Sequence, residues 1–365
     1  MTEWKEYKLG EIVTFQRGHD LPKDKMIDGD IPVAGSNGII GYHNQFTKEG
    51  PGVTIGRSGN IGIPHYYPNA YWAHNTVLYI IDFKGNDTKF MYYLLKTFDF
   101  TQLNTGSAVP SLNRNHIHEL PVSIPDLPIQ HRIASILSSL DDKIDLLHRE
   151  NKTLEAMAET LFRQWFIEEA KEDWEEGKLG DFVSVIDNRG KTPPYTDNIT
   201  EYPIIEVNAL TGEDRYVKYN LVKKYVEKDI YDFWFRGYFH KYDIFVSTVG
   251  SIGELAMCLE EKGVIAQNVI ALHANNISPF YLYQYLNYNK DDLKGLDIGS
   301  VQPSIKVPHL LNMSIIIPPH DKLKEYDIIM LDIIEKEEKN IKQIQTLIQQ
   351  RDSLLPKLMS GEVKI

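Results

Sequence analysis

The sequence contains a single cysteine, Cys258, among 365 residues. One thiol excludes an internal disulfide and a zinc site built from several thiolates. It fits a reducing compartment, so we expect a cytoplasmic protein. No apolar run approaches the roughly 20 residues that a membrane-spanning helix needs. The polar N-terminus, MTEWKEYKLG, lacks the apolar core of a secretory signal, so we expect no membrane attachment and no export.

Positive charge is also in short supply. The chain has 39 basic and 51 acidic side chains and a net charge of -12, and its first third is close to neutral. This balance excludes a simple basic protein that coats DNA. The 12 histidines are scattered without the spacing of a metal site. We therefore expect no bound metal.

An internal repeat is the most informative pattern that is present. GSAVPSLNRNHIHELPVSIP aligns without a gap with GSVQPSIKVPHLLNMSIIIP. Three further pairs occur in the same order, namely WKEYKLGEIVTFQRG with WEEGKLGDFVSVIDNRG, GNIG with GSIG, and AHN with AQN. The offset grows from 170 at Trp4 and Trp174 to 193 at Gly106 and Gly299. Four ordered matches favour a duplication with an early insertion over convergent loop composition.

Each copy predicts a mixed α/β (α+β) globule. Short apolar strands such as VTIG, TVLYIID, IFVST and NVIALH are separated by Gly, Pro and Asn. Each copy also has one aromatic helical stretch, KFMYYLLKTF in the first and PFYLYQYLNYN in the second. The duplication therefore predicts two similar domains.

A long amphipathic stretch follows each copy, and each predicts a long helix. Apolar residues recur alternately three and four apart, which is a coiled-coil pattern. Asn151 is a polar position of the kind that fixes register, and Pro356 should kink or end the second helix. The predicted seam consists of Ile133, Leu137, Leu140, Ile144, Leu147, Asn151, Leu154 and Leu161 in the first helix and Met330, Ile334, Ile341, Ile344, Ile348 and Leu355 in the second.

The connection between the copies predicts how the helices pair. The first helix leaves globule one and leads to globule two, so a second helix that pairs with it must run antiparallel. We favour this pairing over the alternative that each helix packs on its own globule. The expected arrangement is pseudo-two-fold, with two unequal heads held apart by a rod. Such an arrangement suits two different half-sites on DNA, which is itself pseudo-two-fold.

Over essentially its whole length, the chain resembles the specificity subunit of Type I restriction–modification enzymes. The resemblance rests on IPVAGSNGIIGYHN, GVTIGRSGNIG and WAHNTVLYI in the first copy and on NRGKTPPY and GSIG in the second. PDLPIQHRIASILSSLDDKIDLL with LFRQWF and the closing RDSLLPKLMSGEVKI resemble the helical regions. The resemblance implies target recognition domains at residues 1–127 and 171–318, a central helix at 128–170, and a C-terminal helix with its tail at 319–365.

The resemblance also implies partners and function. The chain would be a non-catalytic prokaryotic subunit that recognises double-stranded DNA. It would assemble with two copies of an adenine-N6 methyltransferase subunit and with restriction/translocase subunits. S-adenosylmethionine, ATP and Mg would be held by those partners, and this chain would hold no cofactor.

Candidate DNA contacts come from the repeated motifs. Arg57 has the fork geometry that reads guanine, and Asn60 or Asn75 could pair with adenine. Because the second copy has no arginine at the Arg57 position, the two half-sites should differ. For each residue the alternative stays open that it belongs to a structural turn. The full set is Arg17, Arg57, Ser58, Asn60, His74, Asn75 and Arg114 in the first copy and Arg189, Lys191, Thr192, Thr248, Ser251, Gln267 and Asn268 in the second.

The sequence leaves two rival functions open. A tandem repeat with a rod could bridge two protein partners without binding DNA. Thr192-Pro193-Pro194-Tyr195 is similar to the Pro-Pro-Tyr motif of amino-methyltransferases, but no glycine-rich cofactor loop follows a strand here. Gly56–Gly62 likewise lacks the Lys-Ser/Thr of a phosphate-binding loop. We therefore expect DNA recognition without catalysis.

Overall fold

The computed structural model describes residues 4–104, 110–190, 192–212, 214–299 and 301–363. The chain divides into two units, Met1–Leu146 with Gln343–Ile365 and Leu147–Lys342. Each long helix has residues in both units, whereas the sequence predicted each helix as a segment of its own. The four predicted segments therefore stay a prediction. Within the described ranges, none of the helices has the length and apolarity required to cross a membrane.

The first unit contains two interleaved sheets and a ribbon. The strands are β1 Lys5–Lys8, β2 Thr14–Arg17, β3 Ile31–Gly35, β4 Gly38–His43, β5 Gly52–Gly56, β6 Pro64–Tyr67, β7 Trp72–Ala73, β8 Val77–Asp82 and β9 Pro121–Ile124. One sheet has the strand order β2–β8–β5–β6, the other has the order β4–β3–β7 with β7 parallel to β3, and β1 pairs with β9. The helices are α1 Leu9–Ile12, α2 Thr88–Leu95 and α3 Arg114–His118, and α4, Leu127–Arg163, follows them.

Helix α2 shows how the local sequence shapes the first core. Asp87 caps its N-terminus by accepting a hydrogen bond from the backbone N–H of Phe90 at 2.7 Å. Phe90, Met91 and Leu94 are buried on one face of this helix. They pack in the same hydrophobic cluster as Val53 of β5. This packing holds α2 against the sheet whose loops are described below.

The second unit repeats this topology. Its strands are β10 Glu175–Lys178, β11 Val183–Ile186, β12 Tyr202–Ile205, β13 Tyr225–Val226, β14 Ile244–Ser247, β15 Leu255–Met257, β16 Val264–Ile265, β17 Val269–Ala274 and β18 Ser314–Ile317. The sheets have the orders β11–β17–β14–β15 and β13–β12–β16, with β16 parallel to β12, and β10 pairs with β18. The helices are α5 Lys228–Trp234, α6 Pro279–Tyr288, α7 Lys290–Gly295, α8 Val307–Leu311 and α9 His320–Met359. The prediction of two similar mixed α/β domains is confirmed.

The two long helices run antiparallel within each unit, as predicted. In the second unit, Lys336 of α9 contacts Glu150 of α4 at 3.1 Å, whereas Lys322 contacts Glu169 at 3.4 Å in the turn after α4. In the first unit, Arg351 Nη1 lies 2.9 Å from Asp141 Oδ1. Residue numbers therefore fall along α9 as they rise along α4.

Polar residues punctuate the helix interface. Asn340 Nδ2 donates a hydrogen bond to Asn151 Oδ1 at 2.8 Å, and both side chains are buried. Every predicted seam position is buried or half-buried, from Ile133 to Leu355. Helix α9 continues past Pro356 to Met359. A buried amide pair of this kind favours a single register, because any slip leaves both amides unpaired.

The helices also pack in the hydrophobic cores of the units. Packing of a helix on a globule, the alternative to helix pairing, therefore occurs together with the pairing. Ile133 and Leu137 lie in the first core with Leu358. Phe162 lies in the second core with Tyr326. Each helix therefore buries apolar surface against its partner helix and against the sheet-bearing parts of both units.

A buried arginine links both helices to the second unit. Arg215 is 4% exposed, and it lies in the loop between β12 and β13. Its Nε is 3.4 Å from Glu155 Oε1 on α4, and its Nη2 is 3.3 Å from Glu337 Oε1 on α9. The Tyr216 hydroxyl donates a hydrogen bond to Glu337 Oε2. One cation thus offsets two carboxylates that would otherwise be costly to bury.

Glu337 should make the stability of the second unit depend on pH. Burial raises the pKa of Glu337 to about 7, although the Arg215 guanidinium lowers it. A carboxyl with a raised folded-state pKa contributes stability that is complete near pH 4.5 and is lost as the pH rises through about 7. We expect the urea midpoint of the native chain, relative to that of Glu337→Gln, to fall between pH 5 and pH 8. A difference that does not change with pH would contradict this assignment.

Candidate nucleic-acid interface

Three loops meet at one edge of the first unit. Arg57 N–H donates to Thr76 O at 2.8 Å, which joins the loop after β5 to the turn before β8. Gly59 N–H donates to Pro110 O at 3.1 Å, and Leu112 N–H donates to Arg57 O at 2.9 Å. The segment that precedes α3 is therefore attached to the same loop. Four predicted residues, Arg57, Ser58, His74 and Asn75, lie in this cluster.

The glycine spacing of the loop after β5 has a conformational cause. Gly59 and Gly62 have φ angles of +80° and +79°, and their counterparts Gly250 and Gly253 have +83° and +74°. Residues with a side chain rarely adopt these angles. GNIG and GSIG therefore encode the same turn in both units, which positions the residues on either side of it.

Two arginines lie at this edge of the first unit. Arg17 is exposed at the end of β2, and Arg57 is half-buried. Burial lowers the pKa of the Arg57 guanidinium, and the charge of Arg17 lowers it further. Arg57 Nη1 donates to the backbone oxygen of Asn75 at 3.3 Å. The other guanidinium N–H groups remain able to face a guanine or a phosphate.

Asn75 is held by a residue that the sequence did not single out. Its Nδ2 donates to Asp20 Oδ1 at 2.5 Å. Asp20 follows His19, whose backbone N–H donates to Ala73 O at 2.7 Å. The stretch after β2 is thus joined to the turn that carries Asn75.

The second unit assembles the same loops with the same backbone bonds. Thr248 N–H donates to Asn268 O at 2.8 Å, and Ile305 N–H donates to Thr248 O at 2.8 Å. Gly250 N–H donates to Pro303 O at 3.0 Å. This set matches that of Arg57, Gly59 and their partners bond for bond. The two copies therefore present equivalent loop clusters.

The hydrogen bonds correct one sequence alignment by a single residue. Val77 pairs with Gly56, and Val269 pairs with Ser247, the counterpart of Gly56. AHN and AQN therefore do not align letter by letter, because the alanine ends a strand in one copy and begins the turn in the other. The structural pairs are His74 with Ala266, Asn75 with Gln267, and Thr76 with Asn268. Gln267, not Asn268, is thus the counterpart of Asn75.

Polar side chains at the equivalent edge of the second unit also bond to one another. The Arg189 guanidinium contacts Asp187 through Nη2 at 2.6 Å and Nε at 2.8 Å. Burial raises the pKa of Asp187, but the hydrogen bonds and the charge of Arg189 outweigh it and lower the pKa overall. Gln267 Nε2 donates to Thr192 Oγ1 at 2.7 Å. The positive charge of Arg189 is therefore largely neutralised.

Where the structure describes them, the side chains of the remaining predicted residues make none of the contacts given above. Thr248 is buried, and Ser251 is exposed within the glycine turn. Asn60 is exposed at the tip of its loop, and Arg114 is exposed at the start of α3. Lys191 lies outside the described residues. All these assignments as DNA contacts stay predictions.

Sequence reasoning missed four polar residues at these edges. His19 and Asp20 directly follow the Arg-Gly landmark of the first copy, so the landmark could have been extended to include them. Gln302 lies beside Gly250, where a Cβ on the glycine would be 3.4 Å from its Nε2. Arg236 N–H donates to Asn188 Oδ1 at 3.0 Å. Arg236 comes from the inserted segment, and a comparison of the two copies cannot find a residue that only one of them has.

The comparison with known families matches most of the chain. The family described as Type I restriction modification DNA specificity domain matches residues 1–156 and again residues 171–350. The two matched ranges correspond to the two copies of the repeat, each with part of a long helix.

Individual relatives agree with this match. The MjaIX specificity subunit of a type I restriction enzyme from Methanocaldococcus jannaschii is 27% identical over 314 residues, which are 78% of this chain and 71% of that protein. A putative type I specificity subunit from Haemophilus influenzae is 26% identical over 87% of this chain and 83% of its own length. The crystal structure of an S subunit of a type I system from M. genitalium aligns with a TM-score of 0.65 and 18% identity. That alignment covers 98% of this chain and 96% of the other, and it supports the fold.

Proposed function

Because this chain belongs to the Type I restriction modification DNA specificity family, we propose that each of its units reads one half of a bipartite double-stranded DNA target. The chain is the specificity subunit of such a system and supplies recognition in place of catalysis. The methyltransferase interpretation of Thr192–Tyr195 is accordingly abandoned. The scaffold without DNA has no support among the relatives.

One observation carries the two-half proposal. The units place equivalent loops in equivalent hydrogen bonds but fill them with different side chains. The first unit offers the half-buried Arg57, whereas the second has the buried Thr248 at that position and therefore no cation there. Identical frames with unlike polar groups suit two half-sites of different sequence.

The long helices and the partner subunits complete the proposal. The helix pair would set the spacing between half-sites and provide docking surfaces for two methyltransferase subunits. Restriction/translocase subunits would join the same assembly. S-adenosylmethionine, ATP and Mg would be bound by those partners. The assembly would act in the prokaryotic cytoplasm, where its DNA target lies.

Charge predicts that this chain binds DNA weakly without its partners. DNA affinity depends strongly on neutralising phosphates, and the chain has a net charge of -12. We expect the methyltransferase subunit to supply backbone contacts and to raise affinity by about 100-fold or more. The measurement is a titration of labelled duplex with the chain alone and with its partner, at several salt concentrations.

Two outcomes would count against this division of labour. Nanomolar binding by the chain alone in physiological salt would show that it needs no partner for phosphate contacts. A complex that forms with the partner but binds no duplex at any salt concentration would favour the protein scaffold.

Sequencing of methylated adenines in the host genome would reveal both half-sites and their spacing at once.

A further inference from the structure

The structural alignment places a carboxamide at the same backbone position in both units. Asn75 and Gln267 each lie in the turn between a parallel-paired strand and the next strand of the larger sheet. Asn75 donates to Asp20 Oδ1 at 2.5 Å, and Gln267 donates to Thr192 Oγ1 at 2.7 Å. Both acceptors come from the stretch that follows the first strand of that sheet, β2 or β11. The units thus share an oriented amide that was hidden by the letter-by-letter alignment.

We propose that Asn75 and Gln267 each read an adenine in their own half-site, and that Asp20 and Thr192 are the positioning residues that orient the two amides. This inference rests on the proposed function and adds the base and the residues that select it. Asn75 is half-buried and Gln267 is exposed, and each lies in a turn that belongs to the loop cluster of its unit.

The Asp20 carboxylate decides which way the Asn75 amide points. The Asp20 carboxylate can only accept, so it fixes the nitrogen of Asn75 toward itself. A side-chain amide nitrogen has two N–H groups, and only one of them is used in this bond. The amide oxygen and the second N–H remain for a ligand. In the second unit, Gln267 Nε2 donates to the Thr192 hydroxyl oxygen, and the amide oxygen and second N–H of Gln267 remain for a ligand. A hydroxyl can also donate, so Thr192 holds the Gln267 amide in place without fixing which of its two ends faces the hydroxyl.

A free amide edge with one acceptor and one donor matches a single base in the major groove. Adenine presents an N6–H donor beside its N7 acceptor. Guanine presents two acceptors, cytosine presents a donor, and thymine presents an acceptor beside a methyl group. An amide that is free to flip could adapt to other patterns. An amide whose nitrogen is held has its edge fixed in the orientation that pairs with adenine.

Selection from a randomised duplex library tests the proposal with the full chain bound to its methyltransferase partner. We expect the native complex to enrich a bipartite motif with a required adenine in each half. Asn75→Ala should remove that preference in one half only, with a loss of affinity of about 5- to 100-fold for the native motif. Gln267→Ala should act in the same way on the other half only.

The positioning residues need variants that separate orientation from charge. Asp20→Ala should relax the same adenine as Asn75→Ala and should add nothing to it in the double variant. Asp20→Asn keeps an oxygen acceptor and should retain the preference. Asp24→Ala removes an exposed carboxylate from the same loop region and is the matched control. In the second unit, Thr192→Val should relax the adenine, and Thr192→Ser should restore it.

The outcomes distinguish this inference from the proposed function. If the native complex enriches no motif, the proposed function fails. If it enriches a bipartite motif that Asn75→Ala and Gln267→Ala leave unchanged at every position, the function stands and the adenine assignment is overturned. If Asn75→Ala relaxes an adenine but Asp20→Ala does not, Asp20 is not the positioning residue.

Discussion

Replacement of Arg215 by alanine is expected to lower the free energy of unfolding of the second unit by about 3–5 kcal/mol. The guanidinium is 4% exposed and lies between Glu155 and Glu337, whose carboxylates belong to different long helices. Its removal leaves two buried acidic groups without a cation, and each must either remain charged without a partner or take up a proton. Breaking a buried ion pair in this way costs far more than the pair itself contributes, because the remaining charge cannot be hydrated.

Urea unfolding measures the loss, and hydrogen exchange assigns it to the second unit. Arg351→Ala is the matched control, because Arg351 pairs with Asp141 at 2.9 Å where both side chains remain about one fifth exposed. We expect that variant to lose about 1 kcal/mol. Combining Arg215→Leu with Glu155→Gln and Glu337→Gln should recover most of the stability, since no buried charge is left. Equal losses for Arg215→Ala and Arg351→Ala would show that the buried cluster has no special role.

The elements that the sequence predicted well are those with a periodic signal. The heptad pattern located both long helices, and the order of the repeated motifs indicated two equivalent sheets. Asn151 was recognised as a polar interruption of the seam. Its partner Asn340, 189 positions away in sequence, was not recognised, because nothing in a local pattern says which residue faces which across a helix pair.

The candidate sites were predicted less well, and the reason is geometric. A three-residue match such as AHN with AQN cannot detect a slip by one position, whereas strand pairing can. A slip of one residue changes which side chain faces a given direction in extended chain. Contacts such as Asn75 with Asp20 or Arg215 with Glu337 join distant segments, so only the folded chain brings them together.

Substitution of Gly18 by alanine should disrupt the first recognition edge and leave the second intact. A Cβ at Gly18 would lie 2.0 Å from the backbone oxygen of His74 and 2.6 Å from that of Ala73. Backbone atoms cannot swing aside as a flexible side chain can, so the stretch after β2 must move away from the turn before β8. That movement breaks the 2.7 Å bond from His19 N–H to Ala73 O and separates Asp20 from Asn75. We expect about 3 kcal/mol of destabilisation, at the upper end for an overpacked position.

Binding should report the same disruption in one half of the target. With the methyltransferase partner present, Gly18→Ala should lose sequence preference across the first half-site while the preference of the second half-site persists. Gly85→Ala is the control, since Gly85 has a φ angle of +84° with open space around a new Cβ. It should cost about 1–2 kcal/mol through backbone strain alone and leave both half-sites unchanged. Equal loss of preference at both half-sites in Gly18→Ala would mean that the units do not read DNA independently, because the altered contact lies entirely within the first unit.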